Sequence, residues 1–257
     1  MNAFITSDRP LNTCMVQERE LSLIYERIRQ GIQRGADAFG LQFEVLASKD
    51  FTDENLRSLF AACDGRPAYV TYYRNHENEG KTDEELAQGL KKLARCGAAL
   101  VDVIGDMFGR DRYQIDCGTD AIARQRELID ELHALGSAVL MSSHVMEFRD
   151  SENVLAIARE QISRGADVSK IVTAANSPEE EQRNLYTTSL LKKELGHPFL
   201  FLSGGTHNRL HRRLGGMLGC RMWLTVAEHD EFATPAQPLT GDVDALRKLI
   251  EEGGTQE

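Results

Sequence analysis

Long apolar runs are missing from this sequence. No stretch approaches the ~18 consecutive apolar residues that a membrane-spanning helix needs. The opening MNAFITSDRP lacks the apolar segment of a secretory signal, so a cytoplasmic protein is expected. Cysteine is sparse and unpatterned: Cys14, Cys63, Cys96, Cys117 and Cys220 make an odd number, without C-x-x-C spacing. That speaks against a disulfide framework or a zinc site and for reduced, core-filling thiols. The seven histidines are scattered, with no H-E-x-x-H-like pair, and no metal is expected. No glycine-rich phosphate fingerprint follows the first apolar run, which weakens a dinucleotide-binding reading. Positive charge is in deficit, with 30 Lys and Arg against 40 Asp and Glu and a formal net charge of -10. The longest basic cluster is Arg209, Arg212 and Arg213, so neither nucleic acid nor an anionic membrane is an expected partner. Linker-like composition is absent too, and residues 1–257 read as one domain with a short N-terminal extension and a frayed GGTQE tail.

What is present is an alternation. Strands are expected at Leu11–Gln17, Ala38–Leu46, Pro67–Tyr73, Ala98–Ile104, Ala138–Ser142, Val168–Thr173, Pro198–Leu202 and Arg221–Val226. Helical spacing lies between them. Leu21, Ile24, Tyr25, Ile28 and Ile32 share one face and stop at Gly35. Thr82-x-x-Glu85 has the form of a capping box, and Ser177-Pro178 followed by three glutamates is a strong helix start. Further helices are expected at Asp53–Cys63, Asp120–Leu135, Ser151–Arg164, His207–Leu218 and Asp242–Glu251. Eight strands alternating with eight helices in about 250 residues match an α/β (β/α)8 TIM barrel. An open doubly wound sheet is the alternative.

In such a barrel the chemistry sits at the C-terminal ends of the strands. Several unusual residues fall there: Gln42 and Glu44 near the end of strand two, Arg74 ending strand three, Asp106 after strand four, His144 ending strand five, Lys170 within strand six, Ser203 ending strand seven and Arg213 beyond it. A lysine in an apolar run either snorkels, pairs with a carboxylate, or is desolvated into a neutral amine nucleophile. A histidine in SSH either caps a turn or transfers protons near neutrality. One βα unit apart at the same face, the two read together as an imine-forming lysine with its acid/base partner. The loop around Glu77 and Glu79 is a solvated loop or a lid over the mouth.

The motifs MSSH, GADVSKIV, RLGG and TPAQP, in this order from about Pro10 to Ile250, resemble type I 3-dehydroquinate dehydratase. That resemblance implies a barrel, usually a homodimer, that uses no metal or organic cofactor and dehydrates a polyhydroxylated keto acid of the shikimate pathway. It implies Lys170 as the imine lysine, His144 as the general acid/base, and Glu79 (or Glu77) as its support. Arg213 then binds the substrate carboxylate, Arg74 stands at the end of strand three, and Gln237 belongs to the closing loop beside Ala233 and Thr234. Departures from the family pattern are read at Gln42-Phe43-Glu44, Gly105-Asp106-Met107, Ser143-His144 and Leu202-Ser203-Gly204, so Gln42, Glu44, Ser203 and Thr234 are candidate specificity residues. Three readings stand side by side: 3-dehydroquinate dehydration, a related imine-dependent lyase or aldolase on another keto substrate, and an inactive barrel with a binding or regulatory role.

Overall fold

A computed structural model describes residues 2–115 and 117–251. After a four-residue helix α1 (Ala3–Thr6) the chain alternates β1 (Leu11–Val16), α2 (Leu21–Gln33), β2 (Ala38–Gln42), α3 (Asp53–Ala62), β3 (Ala68–Thr71), α4 (Asp83–Cys96), β4 (Leu100–Ile104) and α5 (Thr119–Ala134). It continues through β5 (Ala138–His144), α6 (Ser151–Ser163), β6 (Val168–Ala174), α7 (Pro178–Leu195), β7 (Phe199–Gly204), α8 (Arg209–Leu218), β8 (Met222–Val226) and α9 (Asp242–Glu251). Every strand pairing is parallel, in the order β7-β6-β5-β4-β3-β2-β1-β8. The result is a nearly closed (β/α)8 barrel. At its seam, the Arg221 N–H donates to the Phe199 carbonyl at 2.7 Å, and the Cys220 thiol lies 3.4 Å from both the N–H and the carbonyl of Phe201.

The strands are apolar because both of their faces are covered. β4 and β6 are buried along their whole length, as strands inside a ring of helices must be. The helices bury one stripe each: Ile24 and Ile28 of α2, Leu86, Leu90 and Leu93 of α4, and Leu128, Ile129 and Leu132 of α5. Their ends follow the sequence cues. Thr82 and Glu85 form the reciprocal capping box, and Ser177 caps α7 ahead of Pro178. Gly35, following α2, takes a left-handed φ of 82°.

Some boundaries differ from those the sequence suggests, and the differences move candidate residues. β2 ends at Gln42, and after Phe43, whose N–H still donates to the Thr71 carbonyl of β3, the chain turns at residues 44–45. Glu44 is therefore a turn residue. β3 ends at Thr71, and Arg74 lies three residues beyond it. β5 runs on to His144 and β7 to Gly204. Two short 3₁₀ turns are present, Ser48–Asp50 ahead of α3 and His76–Asn78 within the loop around Glu77 and Glu79. The expected frayed tail lies outside the described residues.

Candidate active site

A lysine in a fully buried strand needs partners, and Lys170 on β6 has them on every side. Its Nζ donates to the hydroxyls of Tyr69 and Tyr73, each at 2.9 Å, and to Asp102 Oδ2 at 3.0 Å. An ammonium has three N–H donors, and all three are taken. The carboxylate of Asp102, on β4, is equally saturated. Oδ2 accepts from the Tyr69 hydroxyl and from the Tyr73 hydroxyl at 2.5 Å, while Oδ1 accepts from Ser142 Oγ at 2.5 Å. Barrel register builds this cage: Ser142 pairs with Lys170 across β5 and β6, and Tyr69 pairs with Leu100, two residues before Asp102. Burial, then the adjacent Asp102 charge, pushes both phenols well above their usual range, so both are protonated donors. This corrects the expectation of an amine neutralised by apolar surroundings. The surroundings are polar, and the resting Lys170 is an ion-paired ammonium.

His144, at the end of β5, is oriented by a residue the sequence did not single out. Gln114 Oε1 lies 2.7 Å from the His144 backbone nitrogen and 2.9 Å from Nδ1. A backbone N–H can only donate, so that amide atom is an oxygen, and Nδ1 must carry a proton to reach it. Nε2 is then the unprotonated nitrogen. Burial, with the Lys170 charge adding to it, pushes His144 down to about 4 against an opposing pull from Asp102. The imidazole is thus a neutral base. Gln114 reaches it from the loop between β4 and α5, in a left-handed conformation (φ 54°), and its carbonyl accepts from Ser143 Oγ at 2.7 Å. A Cβ on Gly105 would stand 2.2 Å from that carbonyl. Glycine at 105 is the condition for this approach. Arg164 anchors the same loop through the carbonyls of Gly105 (2.9 Å) and Ile115 (2.5 Å).

Lys170, His144, Tyr69 and Tyr73 open onto a cavity of about 280 Å³ at the C-terminal mouth. Gln17, Gln42, Thr71, Arg212, Phe232, Thr234 and Gln237 complete its polar and outer wall. Gln237 Oε1 accepts from the Thr234 N–H at 2.7 Å, which ties the loop after β8 together. A larger cavity of about 380 Å³ lies between the C-terminal ends of α7 and α8 and the residues before β1. It has none of these groups and sits at the opposite, N-terminal end of the strands.

Lys170, His144, Gln42, Gln237 and Thr234 are therefore brought together, and five other candidates are not. Arg74 is locked against Asp83 (2.8 Å) and Asp106 (2.7 Å) outside the cavity. Arg213 turns outward to the Arg209 carbonyl. Its neighbour Arg212 faces in, its Nε donating to the Ser203 carbonyl at 2.8 Å, and burial pushes it down to about 10. Glu79 is exposed and not a partner of His144, as is Glu77. Glu44 is buried behind β3, where Oε1 accepts the Tyr73 N–H at 3.1 Å; burial pushes its carboxyl up. Ser203 faces α7 and α8, bonded to Asn184 (2.9 Å) and His211 (2.7 Å). No cluster of three His, Cys, Asp or Glu side chains suited to a metal occurs among the described residues.

All of the residues missed except Gln114 had a signal. Asp102 in LVDVI is the same anomaly as Lys170 in VSKIV, a charge in a strand buried on both faces, and each explains the other. Tyr69, Thr71 and Tyr73 share the parity that points one way from a strand. Arg212, three and four residues before the buried Gly215 and Gly216, has the spacing of the inner stripe of α8, although Arg213 also stands three before Gly216.

Comparison with known proteins bears on the family and the fold. Curated 3-dehydroquinate dehydratases of two Klebsiella pneumoniae strains are 29% and 28% identical over 184 residues, covering 70% of this chain and 65% of theirs. The chain thus spans just under two thirds of the length of those relatives. Among solved structures, 3-dehydroquinate dehydratase from Geobacillus kaustophilus superposes with a TM-score of 0.81 at 18% identity, covering 97% of this chain and 94% of that one. The type I enzyme from Clostridium difficile, solved with covalently modified comenic acid, gives 0.80 at 15% identity, with 97% and 95% covered. The family model for type I 3-dehydroquinase matches residues 14–253, nearly the whole chain. The chain belongs to the type I 3-dehydroquinase family.

Proposed function

We propose that this protein is a Schiff-base-forming hydro-lyase that dehydrates 3-dehydroquinate to 3-dehydroshikimate. The observation that carries the reading is that Lys170, His144 and Arg212 line one cavity at the strand ends. Arg212 holds the substrate carboxylate as a charge-assisted pair and so orients the ketone toward Lys170. Lys170 condenses with that ketone, and the resulting iminium is an electron sink that acidifies the neighbouring carbon. His144 Nε2 takes the proton from that carbon, then returns it to the hydroxyl that leaves as water; such acid–base help is worth roughly 10²–10⁴-fold. Gln237 and Thr234 close the mouth, and Gln42 and Gln17 offer neutral donors and acceptors to the substrate hydroxyls. We carry the homodimer and the cytoplasmic location with this proposal, on the family resemblance.

A second reading has one observation of its own. Arg212 is the one cation besides Lys170 among the described residues lining the cavity, since Arg74 and Arg213 turn away and position 42 is an amide. A keto acid with a different hydroxyl pattern fits such a wall, through the same imine. Turnover of 3-dehydroquinate, followed by absorbance of the conjugated enone and abolished in Lys170→Ala, establishes the first reading. Absence of turnover by the folded wild-type protein, with an intact imine-forming lysine, moves the assignment to the second.

A further inference from the structure

Condensing an ammonium with a ketone moves protons in a fixed number. The lysine begins with three N–H protons and the iminium keeps one. The other two leave with the carbonyl oxygen as water. Lys170 is an ammonium in a buried site, so a resident group must carry those two protons from Nζ to the oxygen. Both nitrogens of His144 already have other duties. Its Nδ1 is committed to Gln114, and Nε2 is the base for the carbon acid.

We propose that Tyr73 is a catalytic residue that protonates the substrate carbonyl oxygen during imine formation, reloaded each time by Asp102. The proposal rests on the imine reading given above and goes beyond it by assigning the proton path. Tyr73 Oη touches both ends of the path, 2.9 Å from Lys170 Nζ and 2.5 Å from Asp102 Oδ2. It is half-buried at the cavity wall, whereas Tyr69, with the same two contacts and on the same cavity, is fully buried. Its backbone is pinned on both sides: the N–H donates to Glu44 and the carbonyl accepts from Asn78 Nδ2 at 2.8 Å. Its ring meets His144 edge-on, with centroids 5.4 Å apart. The phenol is thus held between the nucleophile, its counter-ion and the imidazole.

The steps balance. Asp102 Oδ2 takes one proton from Nζ, and the freed amine pair attacks the carbonyl carbon. As the N–C bond forms, the C=O π pair moves to oxygen, which takes the Tyr73 proton, and Asp102 returns its proton to the phenolate. The nitrogen then gives a second proton to Asp102. The C–O bond breaks, the nitrogen pair forms the C=N bond, and the hydroxyl departs with the Tyr73 proton as water. Asp102 reloads Tyr73 again and ends as a carboxylate facing the iminium. Because reloading accompanies each transfer, no free phenolate has to persist beside Asp102, which would disfavour it.

The probe is 2,4-pentanedione, whose condensation with a lysine gives a near-ultraviolet-absorbing enaminone with loss of one water. Wild-type protein is expected to load Lys170, located by peptide mass, at a rate that Tyr73→Phe lowers by about 10²-fold, the scale of one lost acid–base group. Tyr69→Phe is expected to have less than a tenth of that effect. Incorporating 3,5-difluorotyrosine at position 73 keeps the shape and makes the phenol more acidic, so the alkaline limb of the loading rate is expected at lower pH. Loading by Tyr73→Phe at the wild-type rate, or an alkaline limb unmoved by fluorination, overturns the relay and leaves the imine standing. Wild-type protein that never loads Lys170 overturns the imine reading and the relay with it.

Discussion

An amide beside Nδ1 leaves the His144 imidazolium without an anionic partner. Gln114 fixes the tautomer, but it does not favour the charged ring as a carboxylate would. Since burial already holds His144 down at about 4, the base is available across the neutral and mildly acidic range. The acid limb of kcat is expected near pH 4 rather than near the ordinary histidine value. Gln114→Glu places a charge at the same hydrogen bond, raises the histidine, and is expected to move that limb upward by a pH unit or more, about 1.4 kcal/mol in favour of the imidazolium. A pH–rate profile with an unmoved limb would show that Gln114 does not govern the base. The legible part of this site was its chemistry: Lys170 and His144 announce themselves as misfits at strand ends. Gln114 had no such signal. A glutamine in a loop is unremarkable until the loop folds back over Gly105, and that return is a tertiary event without local periodicity.

At the scale of elements, the two arginines of α8 divide inside from outside within one peptide bond. A helix turns about 100° per residue, so a one-residue change of assignment exchanges a cavity wall for solvent. Arg212→Ala is expected to raise KM for 3-dehydroquinate by roughly 10–100-fold, the worth of one charged hydrogen bond of about 1.5–3 kcal/mol. Arg213→Ala is expected to leave it near the wild-type value, and equal effects of the two would sink the assignment of Arg212. The loop between β4 and α5 makes a second test. In Gly105→Ala the new Cβ meets the Gln114 carbonyl, which is backbone and can yield only if the loop moves. The expected result is a cost of about 1–3 kcal/mol in urea unfolding, with His144 released from Gln114 and its acid limb shifted. Wild-type stability in that variant would mean the loop does not lie this close. The strand–helix alternation was readable throughout. The misread boundaries fell where tertiary pairing ends a strand earlier or later than its composition suggests, as at Gln42 and His144.

The whole molecule carries a second buried histidine, His211, held between Thr188 (2.7 Å) and Ser203 and pushed down by burial to about 3. His144 and His211 both take up protons more readily in the unfolded chain, where their ordinary value applies. Their contribution to stability is therefore complete above about pH 6.5 and is lost as the pH falls toward 4 and 3. At the steepest, each costs about 1.4 kcal/mol per pH unit. Unfolding free energy measured from pH 7 to pH 4.5 is expected to fall accordingly, and His211→Asn is expected to flatten the slope. A slope that does not change in that variant would exclude His211 as its source.

The cage around Lys170 has a consequence for the protein's survival among metabolites. Aldehydes and sugars modify lysines through the free amine, and an ammonium with all three N–H bonds engaged offers them none. Under the proposed function, a carbonyl compound that enters the barrel and leaves quickly finds no nucleophile, and one held by Arg212 long enough for protons to move finds it unmasked. Under the imine chemistry proposed above, the ion pair that delays the first step of turnover is also expected to shield Lys170 from glycation.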